Sequence, residues 1–254
     1  FGMYRIAATI QGARVIDVAR QADHGFRIDF DKLEQVIDEQ PDIRLVFLTS
    51  PNNPTGDLVG QTELELVLKA CEGRALVVLD EAYIEFCDAE SAIGLIGRYP
   101  HLVVLRTLSK AWAAAGVRCG VVIANPEVIG LLKRVIPPYP LATMAIDTAL
   151  RAISGDAISR QQQFVDKVRK QKADLLGFLQ NCDWVREVIP GEANFILLRV
   201  PDADALVAWC AGRGIRIRNF TSQAQLEGCV RLTIGSTDEM AELKLALQAY
   251  GEKA

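Results

Sequence analysis

The sequence predicts an α/β fold followed by a smaller α+β unit. Two observations lead to this prediction. Through the first two thirds of the 254 residues, short apolar runs of strand length alternate with amphipathic helical stretches. The apolar runs are hydrophobic on both faces, which is typical of a sheet covered by helices on both sides. The length is sufficient for one large domain or two modest ones.

Strands and helices alternate in the first part of the chain. The predicted strands are short runs rich in Val, Leu and Ile at residues 13–19, 44–49, 75–79, 102–105 and 119–124. A helix is predicted over residues 31–38, with Asp29 or Asp31 as its N-cap. A second helix is predicted over residues 61–71, with Gly73 as its C-cap.

The pattern changes at residues 136–140 (IPPYP), because two successive prolines cannot continue a helix. This segment is interpreted as a rigid connector. A long helix is predicted over about residues 142–182, with an interruption near residues 154–155. The remaining elements are predicted strands at residues 193–200, 215–218 and 229–234 and helices at residues 203–213 and 238–250.

The change of pattern near residue 140 divides the chain into two predicted domains. Residues 1–145 form a large domain that would bind the ligand. Residues 146–254 form a small C-terminal domain that includes the long linking helix.

Composition excludes several classes of function. The net charge is −4 and no basic run is five or six residues long, so no nucleic-acid surface is predicted. No apolar stretch approaches the ~20 residues that span a bilayer, and the first residues lack the order of a signal peptide. The six cysteines form no CxxC pair, which favours reduced, buried thiols in a cytoplasmic protein over a metal site.

Polar side chains follow three of the predicted strands at the point where each strand ends. In chain order they include Asn52, Asn53, Asp80, Glu81, Tyr83, Ser109, Lys110 and, further on, Arg118. Ligands collect at the carboxyl ends of parallel strands. We therefore expect one crevice to contain a carboxylate, an amide, a phenol, an amine and a guanidinium.

These groups match the polar groups of pyridoxal 5′-phosphate (PLP). Asp80 directly follows a buried strand and needs a cationic partner, for which a protonated ring nitrogen is a better candidate than a metal. Lys110 at a strand end favours the neutral amine that forms a Schiff base. Arg118 and Ser109 suit a phosphate group, and Tyr83 suits a phenolate oxygen.

Each of these residues taken alone also fits a structural role. Asp80 fits a turn or cap, and Lys110 and Arg118 fit solvated surface positions. Glu81 and Glu85 are assigned to such roles, and the Asn-rich segment fits ordinary turn chemistry. The order of the whole set after successive strands is what favours a cofactor site.

Three longer motifs resemble those of the fold-type I PLP-dependent aminotransferases. They are SPNNPTG at residues 50–56, DEAYIEF at residues 80–86 and RTLSKAWAAAGVRCG at residues 106–120. Together with PYPL at residues 138–141, they are most similar to the histidinol-phosphate aminotransferase family. The resemblance extends over the whole chain and implies an aspartate aminotransferase-like large-domain sheet with a smaller C-terminal domain.

The resemblance implies catalytic roles for three residues. Lys110 would attach PLP as a Schiff base and then act as general base and acid. Asp80 would pair with the pyridinium nitrogen, and Tyr83, together with Asn53, would hold the phenolate oxygen.

Four further residues would bind other parts of the cofactor. The resemblance implies that Ser109 and Arg118 bind its phosphate, with Thr107 close by. Phe1 stands where the family has the aromatic side chain that stacks on the pyridine ring.

The resemblance also implies the substrates. Arg231 would bind the substrate α-carboxylate with Asn194 and Asn53 nearby, and Arg218 would receive the phosphate of histidinol phosphate. The implied reaction is transamination between L-histidinol phosphate and 2-oxoglutarate, which gives imidazole acetol phosphate and L-glutamate in histidine biosynthesis. The expected assembly is a cytoplasmic homodimer.

The start of the chain departs from the family pattern. Family chains carry roughly a hundred further residues ahead of Phe1, comparable to a small domain. We therefore expect this chain to lack part of the phosphate-binding turn and the substrate lid. We also expect exposed apolar surface and an unpaired sheet edge.

Alternative functions remain open from the sequence. One is another PLP enzyme of the same fold, such as a threonine-phosphate decarboxylase or an aromatic aminotransferase. A second is a catalytically silent fragment that binds a partner. An α-oxoamine synthase fits less well, since that group typically has His at the position of Tyr83. A Rossmann dehydrogenase also fits less well, because this sequence has no GxGxxG motif after its first predicted strand.

Overall fold

The computed structural model describes residues 2–253. Its α-helices are α1 Gly2–Ile10, α2 Phe30–Glu39, α3 Gln61–Cys71, α4 Pro126–Val135, α5 Thr143–Ile153, α6 Ala157–Leu179, α7 Ala203–Ala211 and α8 Thr237–Gly251. Its strands are β1 Arg20–Gln21, β2 Arg27–Ile28, β3 Leu45–Thr49, β4 Leu76–Asp80, β5 Leu102–Thr107, β6 Gly120–Ala124, β7 Glu187–Ile189, β8 Phe195–Arg199, β9 Arg218–Asn219 and β10 Cys229–Thr233. Within the described residues, no helix is both long and apolar enough to cross a membrane.

The larger sheet has the strand order β3-β4-β5-β6. Strands β3, β4 and β5 run parallel, and Thr49 lies opposite Asp80, which lies opposite Leu105. This register aligns the carboxyl ends of the three strands at one edge of the sheet, as predicted. Strand β6 pairs antiparallel with β5, so the sheet is mixed.

The predicted helices α2 and α3 pack together beside this sheet. Asp29 caps α2, since its Oδ1 accepts a hydrogen bond from N of Lys32 at 2.9 Å. The apolar faces of the two helices join β4 and β5 in one core cluster that contains Ile37, Leu68, Val77 and Val104. Both helix predictions are confirmed, and α3 has the predicted bounds.

The strand predicted at residues 13–19 is wrong. That segment has no regular structure, and only the following two residues form a strand, β1, which pairs with β2. A cavity of about 780 Å³ lies between residues 13–20 and the open edge of β3. A strand requires a hydrogen-bonded neighbour, and the cavity separates this segment from the nearest one.

The predicted cover on both faces of the larger sheet is incomplete. Leu45 and Phe47 on the edge strand β3 are 52% and 40% exposed. Val121 and Val122 on β6 are also exposed. The expected unpaired edge and exposed apolar surface are therefore both present in the structure.

The smaller sheet has the strand order β7-β8-β10-β9 and is antiparallel throughout. Helices α6, α7 and α8 pack around it. The long helix predicted before this sheet is two helices, α5 and α6, separated at residues 154–156 near the predicted interruption. The strand predicted at residues 215–218 is mostly wrong, because only Arg218 and Asn219 pair with β10.

The two sheets are joined by close contacts. The core of the smaller sheet continues into Tyr83, Phe86 and Ala111 from the larger one. The backbone N of Glu192 donates to O of Gly56 at 2.7 Å. The segment that follows β3 is therefore held directly against the turn that leads into β8.

Candidate active site

The predicted residues Asp80, Tyr83 and Lys110 meet at the carboxyl edge of the larger sheet. Asp80 ends β4, and its Oδ1 accepts a hydrogen bond from N of Ala82 at 2.9 Å. Lys110 follows β5, and its Nζ lies 5.2 Å from the ring centroid of Tyr83. The sheet register explains the meeting, because adjacent parallel strands end at the same level.

A second contact to Asp80 comes from α1. The hydroxyl of Tyr4 donates to Oδ2 of Asp80, and the Tyr4 ring stacks on Phe47 with centroids 4.5 Å apart. Burial raises the pKa of Tyr4, and the hydrogen bond to Asp80 and its negative charge raise it further. Sequence reasoning did not select Tyr4, because nothing in α1 indicates which distant carboxylate the helix contacts.

The segment from Thr107 to Cys119 closes on itself beside Lys110. The Oγ1 of Thr107 accepts from N of Ser109 at 3.1 Å and donates to O of Cys119 at 3.4 Å. Arg118, next to Cys119, has a left-handed backbone with φ of 58°. Its exposed guanidinium donates to O of Ala115 at 2.9 Å. Thr107, Ser109 and Arg118 thus belong to one compact loop, although the Arg118 side chain faces outward.

The smaller sheet contributes Arg231, which reaches back to the larger one. Its Nη1 donates to Oδ1 of Asn53 at 2.6 Å, and its guanidinium lies 4.8 Å from the ring centroid of Phe195. Phe195 in turn packs edge-on against Tyr83, with centroids 5.3 Å apart. These contacts connect Arg231 through two aromatic rings to Lys110.

Two arginines oppose each other in the smaller sheet. Arg218 on β9 is the register partner of Arg231 on β10. Side chains at opposed positions of an antiparallel pair lie on the same face, and like charges there repel. Burial lowers the pKa of the Arg231 guanidinium, and Arg218 adds to this shift, whereas Tyr83 opposes it. Nε of Arg231 is buried without a hydrogen-bond partner among the described residues.

Asn194 and Phe1 complete the predicted set. Asn194 immediately precedes β8, and its backbone O accepts from N of Ile234 at 2.9 Å. Its half-buried side chain therefore lies at the start of the strand that carries Phe195. Phe1 lies outside the described residues.

A buried ionic network supports the strand ends. Glu81 is 1% exposed, and its carboxylate accepts hydrogen bonds from Ser91 Oγ at 2.6 Å and Ala92 N at 2.7 Å. Arg106 binds Glu81 at 3.3 Å and Glu85 at 2.8 Å. The structural role predicted for both glutamates agrees with these contacts, which hold the segment after β4 against β5.

The donor set at this edge fits PLP. A carboxylate suits a protonated ring nitrogen, and a phenol and an amide suit the ring oxygen. A lysine amine stands beside them for the aldehyde, and the Thr107–Ser109–Arg118 loop provides donors suited to a phosphate.

Comparisons with known proteins agree with this chemistry. The family model "Aminotransferase class I and II" matches residues 1–247. Histidinol-phosphate aminotransferase of Pectobacterium atrosepticum is 39% identical over 98% of this chain and 68% of that protein. The protein of the same name from Aeromonas hydrophila is 41% identical over 94% of this chain and 66% of its own length. The chain thus spans about two thirds of these relatives.

Solved structures share the fold. Histidinol-phosphate aminotransferase from Clostridium acetobutylicum has a TM-score of 0.91, with 24% identity over 100% of this chain and 76% of that one. The enzyme of the same name from Sinorhizobium meliloti, solved in complex with PLP, has a TM-score of 0.88 and 23% identity. The match covers 100% of this chain and 68% of that one. L-threonine-O-3-phosphate decarboxylase from Porphyromonas gingivalis has a TM-score of 0.80 and 24% identity, and the match covers 99% of this chain and 74% of that one.

The predicted aspartate aminotransferase-like fold is confirmed by these neighbours, which include an aspartate aminotransferase from Thermus thermophilus with a TM-score of 0.84. The family match covers nearly all of the chain, and the donor set fits the cofactor on which the family depends. The chain therefore belongs to the PLP-dependent class I and II aminotransferases.

Proposed function

We propose that the protein transfers an amino group between L-histidinol phosphate and 2-oxoglutarate, as a step of histidine biosynthesis. The observation that carries this proposal is the opposed pair Arg218 and Arg231, connected through Phe195 and Tyr83 to Lys110. Two facing guanidiniums repel unless an anion lies between them, and a phosphate dianion neutralises both. Histidinol phosphate has its phosphate at the position where an amino acid has its carboxylate.

The proposed cofactor contacts follow the donor set. Asp80 binds the ring nitrogen, Tyr83 and Asn53 bind the ring oxygen, and Lys110 attaches the aldehyde. When bound, PLP supplies a ring that accepts the electrons released at the substrate α-carbon. Thr107, Ser109 and Arg118 bind the phosphate, for which the Arg118 side chain must turn inward from its exposed position.

Lys110 is the proposed proton carrier. Its amine, once free, takes the proton from the substrate α-carbon as a general base. It then gives a proton back as a general acid when the product forms. The Tyr83 ring, 5.2 Å from Nζ, stabilises the ammonium form that results. Both oxygens of Asp80 accept hydrogen bonds from the protein, which fixes the orientation of the carboxylate that binds the ring nitrogen.

Arg231 is proposed to bind the anionic group beside the reacting carbon of either substrate. Asn53 fixes the guanidinium from one side, and the rings of Phe195 and Phe220 flank it. Asn194, at the start of β8, is the neighbouring amide donor. Arg218 then supplies the second charge that a phosphate requires and that a carboxylate does not.

A threonine-phosphate decarboxylase is the second candidate. The arginine pair also suits a phosphorylated amino acid, and a decarboxylase of this type shares the fold. The two reactions differ in their products. Release of carbon dioxide from L-threonine phosphate without formation of glutamate would favour the decarboxylase.

We also propose that the protein acts as a cytoplasmic homodimer. All six cysteines are unpaired and four of them are buried, which suits a reducing compartment. Exposed apolar side chains on α4 and α5 favour association with a second copy.

Arg218→Ala tests the substrate assignment. We expect the ratio of kcat/KM for histidinol phosphate over histidinol to fall by at least about tenfold, because one of two phosphate contacts is lost. The kcat/KM for L-glutamate should change less. Arg216→Ala is the matched control, since it removes the same charge from an exposed position two residues away. An unchanged ratio in Arg218→Ala would contradict the assignment.

Lys110→Ala tests the attachment of the cofactor. With added PLP, borohydride should fix the cofactor covalently on Lys110 in the wild-type chain and leave the Lys110→Ala chain unlabelled, by mass spectrometry. Transamination should also be abolished. A wild-type chain that forms no adduct would favour a catalytically silent protein.

A further inference from the structure

The hydroxyl of Tyr4 binds the carboxylate that the proposed function assigns to the cofactor ring nitrogen. Tyr4 donates to Oδ2 of Asp80, while Oδ1 accepts from N of Ala82 at 2.9 Å. Among the described residues, each oxygen therefore has one donor and retains a lone pair for a ligand. Two donors on opposite oxygens restrict rotation of the carboxylate and stabilise its charge.

The aromatic partner of Tyr4 lies on the strand next to β4 on the side away from Lys110. The Tyr4 ring stacks on Phe47 of β3, at an interplanar angle of 20°. In the sheet, β3 and β5 flank β4 on opposite sides, and Lys110 follows β5. Tyr4 is thus packed against the strand on one side of β4, whereas Lys110 follows the strand on the other side.

We propose that Tyr4 is a positioning residue that fixes the orientation of the Asp80 carboxylate for the ring nitrogen of PLP. This inference rests on the role proposed for Asp80. A carboxylate fixed before the cofactor arrives loses less conformational freedom on binding, so the hydroxyl should strengthen cofactor affinity without touching the cofactor.

Tyr4→Phe tests this role, since it removes the hydroxyl and keeps the ring that stacks on Phe47. We expect the Kd for PLP, measured by equilibrium dialysis of the cofactor-free protein, to rise about tenfold, equivalent to about 1.4 kcal/mol. Tyr99→Phe is the matched control. Tyr99 also donates its phenol to a carboxylate, Oε2 of Glu65 at 3.0 Å, but in the core of the larger sheet. It should leave the Kd unchanged.

The same change in an Asp80→Ala background separates a positioning role from an independent one. If Tyr4 acts through Asp80, Tyr4→Phe should weaken PLP binding no further once the carboxylate is absent.

Two sets of results would overturn the proposal at different points. An unchanged or tighter Kd in Tyr4→Phe, or equal losses with and without Asp80, would reject the role of Tyr4 alone. A tighter Kd would mean that Tyr4 competes with the cofactor for Asp80. An unchanged Kd in Asp80→Ala would reject the role proposed for Asp80 itself, and the role of Tyr4 with it.

Discussion

Arg231 illustrates how burial gives a single side chain its importance. Its guanidinium is held between two aromatic rings and the amide of Asn53, and one of its nitrogens has no partner among the described residues. A buried cation with unused donors gains more from an anionic ligand than an exposed one does.

Arg231→Ala should therefore weaken the binding of both substrates. Loss of two charge-assisted hydrogen bonds predicts that KM for L-glutamate and for histidinol phosphate rises by about a hundredfold. Steady-state kinetics would measure this change, with PLP affinity as the control, since we place Arg231 on the substrate and not on the cofactor. A rise in KM for only one substrate would argue against a shared anion site.

Lys172 provides a pH-dependent test of how one buried side chain affects stability. Its Nζ donates to the backbone O atoms of Gly191 and Ala193, both at 2.7 Å, and burial lowers its pKa to about 8. The unfolded chain has the ordinary value of about 10.4, so between these pH values it binds more protons than the folded protein. The free energy of unfolding should therefore rise with pH across this window, by at most about 1.4 kcal/mol per pH unit.

Urea unfolding at pH 8 and pH 10 would measure this slope against Lys172→Met, which lacks the titrating group. Lys170→Met, at an exposed position on the same helix, is the control and should keep the wild-type slope. Equal slopes in wild type and Lys172→Met would show that Lys172 stays charged across this range.

At the scale of elements, a close approach of two turns holds the sheets together. Gly191 has a φ of +53°, and a Cβ there would lie 2.6 Å from the backbone O of Thr55 and from Cα of Gly56. The segment that carries Asn53 is thereby fixed relative to the strand that carries Phe195. Any side chain at this point would separate them.

Gly191→Ala should lower the free energy of unfolding by about 2 kcal/mol or more, from the left-handed backbone and the steric clash. Gly177→Ala is the control, because Gly177 lies within α6 with nothing within 4 Å of its would-be Cβ. It should stabilise the protein by about 0.5–1 kcal/mol through helix propensity. Urea unfolding measures both, and equal effects would contradict the close-packing argument.

At the scale of the whole molecule, exposed apolar side chains lie close together in the chain around the proline-rich connector at residues 136–140. Val135, Tyr139 and Met144 are 77%, 93% and 75% exposed. An apolar patch of this kind is typical of a surface covered by another chain. The division of the chain at residues 145/146 stays a prediction, and it falls within α5.

The proposed homodimer predicts sedimentation at twice the chain mass of 27.9 kDa. Val135→Glu should shift the protein toward monomer, because it places a charge in the apolar contact. Leu245→Glu, at an exposed position on α8, should not. A wild-type chain that sediments as a monomer at micromolar concentration would reject the dimer.

Local sequence patterns were sufficient for most elements and for part of the site. The apolar runs of β3, β4 and β5 and the capped helix α2 were predictable, since burial and capping act over a few residues. The segment at residues 13–19 has the same apolar pattern and forms no strand, because pairing requires a neighbour that the pattern does not encode.

The sequence by itself determined the family and predicted that Asp80 and Lys110 lie at one edge of the sheet, because their motifs follow buried strands whose ends parallel pairing brings together. Only the tertiary structure decided the contact of Tyr4 with Asp80, 76 residues away, and that of Arg231 with Asn53, 178 residues away. It also decided that Arg218 faces Arg231. Such contacts depend on strand register and on the packing of distant elements, and local sequence specifies neither.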